Sequence, residues 1–355
     1  MKDSTKTKLK TKELIMKMKK FSERDLLQYA LGGLLYTPAH NKKIAEALIT
    51  EKYSHLHSMA FCLEDAIADG SENEAIEQLG ITFNEIRDAV EKGLITKEVL
   101  PYLFVRVKYP EQMYKVNKFA EKTGLLKGFI FPKFDTRNAN MYLGILADIN
   151  KNKKDIIYGM PILESPEIAD VRTRVEKLSE IKEITDKFKD MILNIRVGGN
   201  DFCSGYGIRR AIDQNVHDIK VIADIISDIV NIFSKDYVVS GPVWEYFDKQ
   251  GSSDTRWKDG LRNEVRRDIL NGLTGKTAIH PTQLPVIDDE LAVSYDDFSD
   301  AMGILNWNDD VLAVSKGHAG NRMNEQKVHS NWAVKTLIRA SVYGIREMNG
   351  DKESI

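Results

Sequence analysis

The sequence predicts a (β/α)₈ barrel, and three observations support this fold class. Eight short apolar runs occur along the 355 residues, and a polar or charged residue follows each run. Most of the runs are separated by a stretch long enough for a helix, which is the alternation typical of this barrel. The runs are apolar throughout and do not alternate with polar residues, as expected for parallel strands that helices cover on the outside.

The eight predicted strands are short, and the last two are the weakest signals. Each strand is a run of mainly apolar residues that ends close to a polar side chain. In chain order the predicted strands span residues 32–36, 58–63, 102–107, 128–131, 156–163, 191–197, 237–239 and 277–279.

Helices are predicted between the strands because apolar residues recur there at helical spacing. The clearest case places Ile222, Ile226 and Ile229 on one face of an amphipathic helix. Gly80 is a candidate break within its helix, and Gly124 is expected to terminate another. The predicted helices span residues 41–53, 72–93, 111–124, 138–150, 168–189, 215–233 and 256–272.

The chain is longer than the about 250 residues that such a barrel needs, so we expect an extension at each end. The C-terminal extension contains predicted helices at 295–305 and 328–343, with a polar loop at 316–324 between them. It is expected to pack on its own barrel or to reach over a neighbouring subunit. The predicted parts are a basic N-terminal extension at 1–30, the barrel at 31–290 and the helical extension at 291–355.

Composition argues against several classes of partner. The formal net charge of −2 provides no overall field for nucleic acid or a membrane surface. No apolar run approaches the roughly 18 residues needed to span a bilayer. The first twenty residues contain eight lysines and no apolar signal core, so we expect a solvated arm, with a weak phosphate- or nucleic-acid-binding arm as the alternative. With only Cys62 and Cys203 present, a reducing cytoplasmic setting is expected.

The polar residues that follow the strands are the candidate functional residues. The carboxyl ends of barrel strands meet at one face, so these side chains should share one pocket. Carboxylates crowded in one pocket repel one another unless a cation lies among them. The residues at these eight junctions are Thr37, Glu64 with Asp65, Arg106, Lys133, Glu164, Asp201, Ser240 and His280.

Glu164 and Asp201 follow the fifth and sixth strands, which are neighbours in a barrel. Two carboxylates placed in this way suit Mg²⁺, which prefers oxygen ligands and keeps several waters, so that room remains for substrate. Mn²⁺ is the alternative metal, because hard oxygen ligands accept either ion. The alternative role for each acid is a structural ion pair with Arg106 or Lys133.

Two bases and an adjacent acid pair complete the charged set. Arg106 has the planar fork that suits a substrate carboxylate, and Lys133 offers a point charge to an anionic substrate. Glu64 and Asp65 are consecutive, so one is expected to face the pocket while the other anchors the next loop or caps a helix. For Arg106, a salt bridge with Glu64 or Asp65 is the competing interpretation.

The segment VGGNDFCSGYG contains Gly198 and Gly199, which would let backbone amides approach a ligand oxygen. It does not fit the dinucleotide-binding pattern, and no phosphate-binding P-loop pattern occurs in the chain. His280 and Pro281 end the eighth strand, and we interpret them as a loop anchor in reach of the substrate.

Seven segments occur in the order and at the spacing of one known family. They are LLYTPAHNKKIAEAL, FCLEDAI, YLFVRVK, FIFPKFD, PILESPE, VGGNDFCSGYGIRR and LTGKTAIHPTQLPVID. Through them the chain resembles, in divergent form, the HpcH/HpaI aldolase and citrate lyase beta-subunit superfamily, from about residue 34 to residue 343. The last segment is the longest and most specific match.

The resemblance implies a TIM barrel with Mg²⁺ on Glu164 and Asp201, and with Arg106 holding the carbonyl of an oxo-acid or thioester. Members cleave or form a carbon–carbon bond beside a carbonyl, often in CoA thioesters. The resemblance also implies a base from the C-terminal tail of a neighbouring subunit, which corresponds here to Glu325, in a homo-oligomer that is a trimer or a hexamer. The alternative for Glu325 is a plain surface charge.

The chain departs from the family where CoA lyases hold the cofactor and the base. Ala39, followed by His40, stands in place of a Gly, and Lys108 in place of an Asn. Three hypotheses follow: a Mg²⁺-dependent lyase or condensing enzyme acting on an acyl-CoA or related oxo-acid, a CoA-independent oxo-acid aldolase, and a catalytically altered metal-binding barrel that serves as a binding or assembly protein.

Overall fold

The computed structural model describes residues 22–249, 253–307 and 312–346, and these divide into two compact units. The first unit is Leu31–Ile287, and the second joins the described residues before Leu31 to those after Ile287. Most of the predicted basic extension lies outside the described residues. Within the described ranges, no helix is both long and apolar enough to cross a bilayer.

Eight parallel strands form the first unit, and their hydrogen-bonded order is β7-β6-β5-β4-β3-β2-β1-β8. A bridge between Gly241 and Lys276 joins the two outer strands, and the Thr274 amide donates to the Val239 carbonyl at 2.8 Å. The predicted (β/α)₈ barrel is therefore confirmed. The strands are β1 Gly33–Pro38, β2 Ser58–Cys62, β3 Tyr102–Arg106, β4 Leu126–Phe131, β5 Tyr158–Leu163, β6 Ile195–Val197, β7 Val239–Ser240 and β8 Lys276–Ala278.

A helix follows each of the first seven strands, and the helices present their apolar faces to the sheet. Gly124 ends its helix in the left-handed conformation, as the sequence predicts. The α-helices along this part of the chain are Ile44–Ile49, Glu72–Glu91, Gln112–Thr123, Ala139–Asn150, Pro166–Ala169, Arg174–Asp186, Gly199–Gly205, Lys220–Phe233, Arg256–Leu270 and Leu284–Leu291.

One helix prediction is wrong, and one segment predicted to be largely helical is divided by a turn. Gly80 does not break its helix, which continues from Glu72 to Glu91. The helix predicted at 168–189 is interrupted after Ala169. There the Asp170 side chain accepts the Arg172 amide at 2.9 Å, a turn that competes with helical hydrogen bonding.

The second unit is built on two helices, Tyr295–Leu305 and Gln326–Tyr343, whose shared core includes Ala301, Ile304 and Leu337. The predicted polar loop at 316–324 is corrected by the structure. It is the turn and the flanks of an antiparallel hairpin between β10 (Val314–Lys316) and β11 (Met323–Glu325). A parallel pair, β9 (Val293–Ser294) and β12 (Ile345–Arg346), and the helix Glu23–Tyr29 complete the unit.

A buried ionic network lies at the seam where the barrel closes. The Lys276 ammonium is fully buried, 2.9 Å from a Glu264 oxygen and 2.7 Å from an Asp268 oxygen. Arg210 donates to Glu264 at 2.6 Å, so each buried acid has a cationic partner. A Cβ at Gly241 would lie 2.4 Å from Asp268, which explains the glycine at this bridge. The network thus ties the helix Arg256–Leu270 to the seam.

Replacing Lys276 with Met should lower the free energy of unfolding by about 3–5 kcal/mol, because Glu264 and Asp268 would then be buried without their shared cation. Urea unfolding monitored by far-UV circular dichroism measures this. The matched control is Lys189→Met, whose partly exposed pair with Asp236 should contribute about 1 kcal/mol or less. Equal losses in the two variants would contradict a special role for the seam network.

Candidate active site

Five of the charged residues predicted from the junctions come together at the carboxyl ends of β2 to β5. Arg106 is the last residue of β3, and the other four follow the strands on either side. Parallel strands bring these ends to the same face of a barrel. Those four residues are Glu64, Asp65, Lys133 and Glu164.

Arg106 is the centre of the cluster. Its Nη2 atom pairs with Glu64, lies 3.0 Å from Oδ2 of Asp65 and lies 3.8 Å from Oε1 of Glu164. The guanidinium is buried, and its Nε atom has no hydrogen-bond partner in the structure. The predicted salt bridge with Glu64 and Asp65 is therefore present. One donor of the fork is nevertheless unused within the described part of the chain.

Lys133 contributes its ammonium and its backbone. The ammonium pairs with Glu64 and lies 3.7 Å from Asp65. Its backbone has φ of 47°, a left-handed conformation that is unfavourable for a side chain of this kind. In this turn the Lys133 amide donates to Oε1 of Glu164 at 2.8 Å. The strained turn thus places a backbone donor on a buried carboxylate, as strained residues at functional sites often do.

The adjacent acids Glu64 and Asp65 are perturbed in opposite directions. Burial raises the pKa of Glu64, and Arg106 and Lys133 only partly offset that effect. Burial also disfavours the charge of Asp65, but Arg106, a hydrogen bond with Glu64 and Lys133 outweigh it and lower the pKa of Asp65. The predicted capping role of Asp65 is wrong, because the next helix begins only at Glu72.

Glu164 and Asp201 form the second part of the site. Burial, followed by the negative charge of Asp201, raises the pKa of Glu164 to about 8. Asp201 lies in the first turn of the helix Gly199–Gly205, where its placement depends on the helix as well as on the strand end. Gly198 is required by packing, since a Cβ there would lie 2.1 Å from Oε2 of Glu164.

The chemistry of this pair fits a hard divalent cation. Both ligands are carboxylates. Burial and the negative charge of Asp201 raise the pKa of Glu164, and a dication between the two carboxylates would favour their ionised forms. In the described part of the chain, no group of three or more His, Cys, Asp or Glu side chains is placed to hold a metal. Glu164 and Asp201 would therefore supply only part of a coordination shell, leaving the remainder to water and substrate.

Thr37 and Gly199 each have a local packing role, and their predicted contacts with substrate stay predictions. Thr37 is inside β1, which continues to Pro38, and Asn41 donates to its buried hydroxyl at 3.3 Å. Successive strand residues point to opposite faces, so Thr37 points away from the side occupied by Tyr36. Gly199 leaves room for Pro242, since a Cβ there would lie 2.7 Å from that ring.

His280 and Pro281 form the loop anchor that the sequence predicts. The His280 Nδ1 atom accepts the Thr282 amide at 3.3 Å, and its ring stacks on Phe247 at 4.6 Å between centroids. Burial lowers the pKa of His280, which favours the neutral ring. Glu325 lies in the second unit, where its amide donates to Nδ1 of His329 at 2.9 Å. Its role as a base stays a prediction.

Sequence reasoning missed Tyr36 and Arg196. The Arg106 guanidinium carbon lies 5.8 Å from the centre of the Tyr36 ring. Arg196 lies in β6, fully buried, and donates to the Thr277 hydroxyl at 2.7 Å. The signal that could have found Arg196 is a charged residue inside the apolar run ILNIRV.

Fold and site together define a TIM-barrel enzyme whose site combines acids with a central arginine. The family model for C–C bond lyases of the TIM-barrel fold matches residues 25–345, and the chain belongs to this family. The protein is accordingly a carbon–carbon lyase, and the superfamily resemblance is confirmed. A comparison with curated proteins finds no match.

Solved structures share the fold at low sequence identity. A citrate lyase from Burkholderia xenovorans LB400 has a TM-score of 0.60 and 14% identity, over 90% of this chain and 94% of that one. Protein CitE from Mycobacterium tuberculosis, in complex with magnesium, acetoacetate and coenzyme A, has a TM-score of 0.56 and 17% identity, over 88% of this chain and 99% of that one. Both likenesses support the barrel architecture.

Glu164→Gln should stabilise the metal-free protein at pH 7.5. A carboxyl group with a raised pKa costs stability as the pH rises from its ordinary value of 4.5 towards about 8. The variant removes this cost, so its free energy of unfolding should exceed that of wild type by about 4 kcal/mol, because pH 7.5 lies about three units above 4.5 and each unit corresponds to about 1.4 kcal/mol. The two proteins should converge near pH 4.5. Urea unfolding in EDTA at both pH values measures the difference.

The control for this comparison is Glu264→Gln. Glu264 is buried and paired with Arg210 and Lys276, so the same change should destabilise the protein at pH 7.5. A loss of stability in Glu164→Gln comparable to that of the control would show that Glu164 carries no such cost.

Proposed function

We propose that the protein is a Mg²⁺-dependent carbon–carbon lyase or condensing enzyme that acts through an enolate on an acyl-CoA thioester or a related oxo-acid. The observation that carries the proposal is the buried Glu164, which lies beside Asp201 and within reach of the Arg106 guanidinium. The CitE protein, crystallised with magnesium, acetoacetate and coenzyme A, supports the same ligand classes by analogy.

Each charged residue of the site has its own role in the proposed reaction. Breaking a carbon–carbon bond beside a carbonyl leaves negative charge on the carbonyl oxygen. Arg106 supplies a buried positive charge that stabilises that oxygen. Glu164 and Asp201 would hold the divalent cation, which when bound supplies Lewis-acid polarisation. Glu64 and Asp65 hold Arg106 in place, and Lys133 keeps Glu164 oriented through its amide.

The second candidate is a CoA-independent aldolase of the same fold, and one contact favours it. Lys108 stands where the family has an Asn near the cofactor region. Its ammonium is bonded to Asp69 at 2.7 Å and to Glu72 at 2.6 Å. A cation engaged by two acids is poorly placed to bind the phosphates of CoA.

Thermal unfolding with candidate ligands should distinguish the two candidates. A ligand that binds the native state raises the melting temperature, by an amount that grows with the logarithm of its concentration once that exceeds Kd. If the enzyme uses CoA thioesters, we expect acetyl-CoA together with Mg²⁺ to raise the melting temperature. If it is a CoA-independent aldolase, pyruvate or oxaloacetate should raise the melting temperature in the absence of acetyl-CoA. Glu164→Gln is the control and should lose the Mg²⁺-dependent part of each shift. No shift with any of the three would count against both candidates.

We further propose that the enzyme is a homo-oligomer in which Glu325 serves as the base for a neighbouring barrel. Glu325 is only partly buried, and it lies at the start of the helix Gln326–Tyr343, on a hairpin. A carboxylate on such a segment has the chemistry needed to remove a proton next to a carbonyl.

Glu325→Gln should lower turnover by about 10²- to 10⁴-fold. Glu164→Gln should also be nearly inactive. If the base acts across subunits, co-expression of the two variants should restore about a quarter of wild-type activity, because random assembly joins an intact barrel to an intact tail in about one site in four. A mixture no more active than its components would place the base in the same chain, and full activity of Glu325→Gln alone would remove it from catalysis.

A further inference from the structure

Arg196 is a buried cation without an acidic partner among the described residues. It is 2% exposed, and its guanidinium donates only to neutral groups, Thr277 at 2.7 Å and Asn194 at 3.4 Å, while the Tyr36 side chain lies beside it. Its Nε atom is buried and has no hydrogen-bond partner. Other buried cations in the barrel, such as Lys276 and Arg210, all contact carboxylates. An uncompensated buried guanidinium is costly, so its presence indicates a purpose other than stability.

Tyr36 connects this cation to the site. It lies two residues before the end of β1, is only partly buried, and its ring contacts the Arg106 guanidinium. A guanidinium can only donate, so the Tyr36 hydroxyl beside Arg196 can act towards it only as an acceptor. The phenolic proton is thereby left to point at another acceptor. Tyr36 thus lies between two guanidiniums, one of which belongs to the site of Glu64 and Glu164.

We propose that the Tyr36 hydroxyl donates a hydrogen bond to an anionic oxygen of the substrate, and that Arg196 is the positioning residue that orients it. The ligand class is an oxo-acid, whose carboxylate or enolate oxygen supplies the negative charge that Arg196 lacks. This inference rests on the proposed function, since it assigns a substrate to that same site. The substrate would then contact two hydrogen-bond donors, the neutral Tyr36 hydroxyl and the charged Arg106 guanidinium.

Calorimetric titration with oxaloacetate at constant Mg²⁺ tests the assignment. Tyr36→Phe keeps the ring over Arg106 but removes the hydroxyl, and Arg196→Met removes the positioning charge. Each variant should bind oxaloacetate about 10- to 100-fold more weakly than wild type. The double variant should be no weaker than the weaker single one, because both changes remove one shared interaction. Unliganded Arg196→Met should be at least as stable as wild type.

Two controls separate binding from folding. Tyr237→Phe removes a hydroxyl that donates to Asp186 at 2.6 Å, and Arg174→Met removes a buried guanidinium that pairs with Asp228 at 3.1 Å. Both should lose stability and keep the wild-type Kd. Wild-type affinity in Tyr36→Phe and Arg196→Met would overturn this inference and leave the proposed function standing. Failure of wild type to bind oxaloacetate, pyruvate or acetyl-CoA would overturn the proposed function and this inference together.

Discussion

Negative charge crowded at the carboxyl ends of the barrel strands is the constraint on which the site depends. Burial disfavours the charge of Glu164, and the negative charges of Asp201 and Glu64 make its ionisation still harder. Three nearby features stabilise the charge of these acids or leave room for it. Arg106 reaches the acids that follow β2 and β5, and a left-handed turn directs a backbone amide at Glu164. A missing side chain at Gly198 leaves Glu164 the space that it needs.

The rest of the barrel supplies the stability that such a site lacks. Its interior is filled by fully buried aromatic side chains, including Phe61, Phe104 and Phe129. The seam between β7 and β8, where hydrogen bonding is sparsest, is held by a separate network of paired charges around Lys276. Each buried acid of the seam is paired with a cation, whereas the site contains more acids than cations. This contrast is expected when one set serves folding and the other serves a ligand, since functional sites are where a fold tolerates unfavourable energy.

The second unit is the part of the chain whose structure the sequence indicates least well. The acids that follow β2 and β5 lie at strand ends, as the sequence predicts. The described part of the second unit carries a hairpin where the sequence indicates only a polar loop. The strands of this hairpin have only three residues each, so neither a hydrophobic run nor a sustained alternation marks them.

The barrel could be predicted from the sequence alone. Apolar runs that alternate with segments of helical periodicity are a local property of any parallel sheet covered by helices. The sequence also identified Glu64, Arg106, Lys133 and Glu164, because a strand end dictates which face its next residue occupies. The ion pairs and hydrogen bonds between these residues could not be predicted and are known from the tertiary structure. The contacts that join Arg106 to Glu164, or Arg196 to Tyr36, link strands far apart in the chain. Such contacts depend on side-chain directions across a closed sheet, which no spacing along one strand encodes.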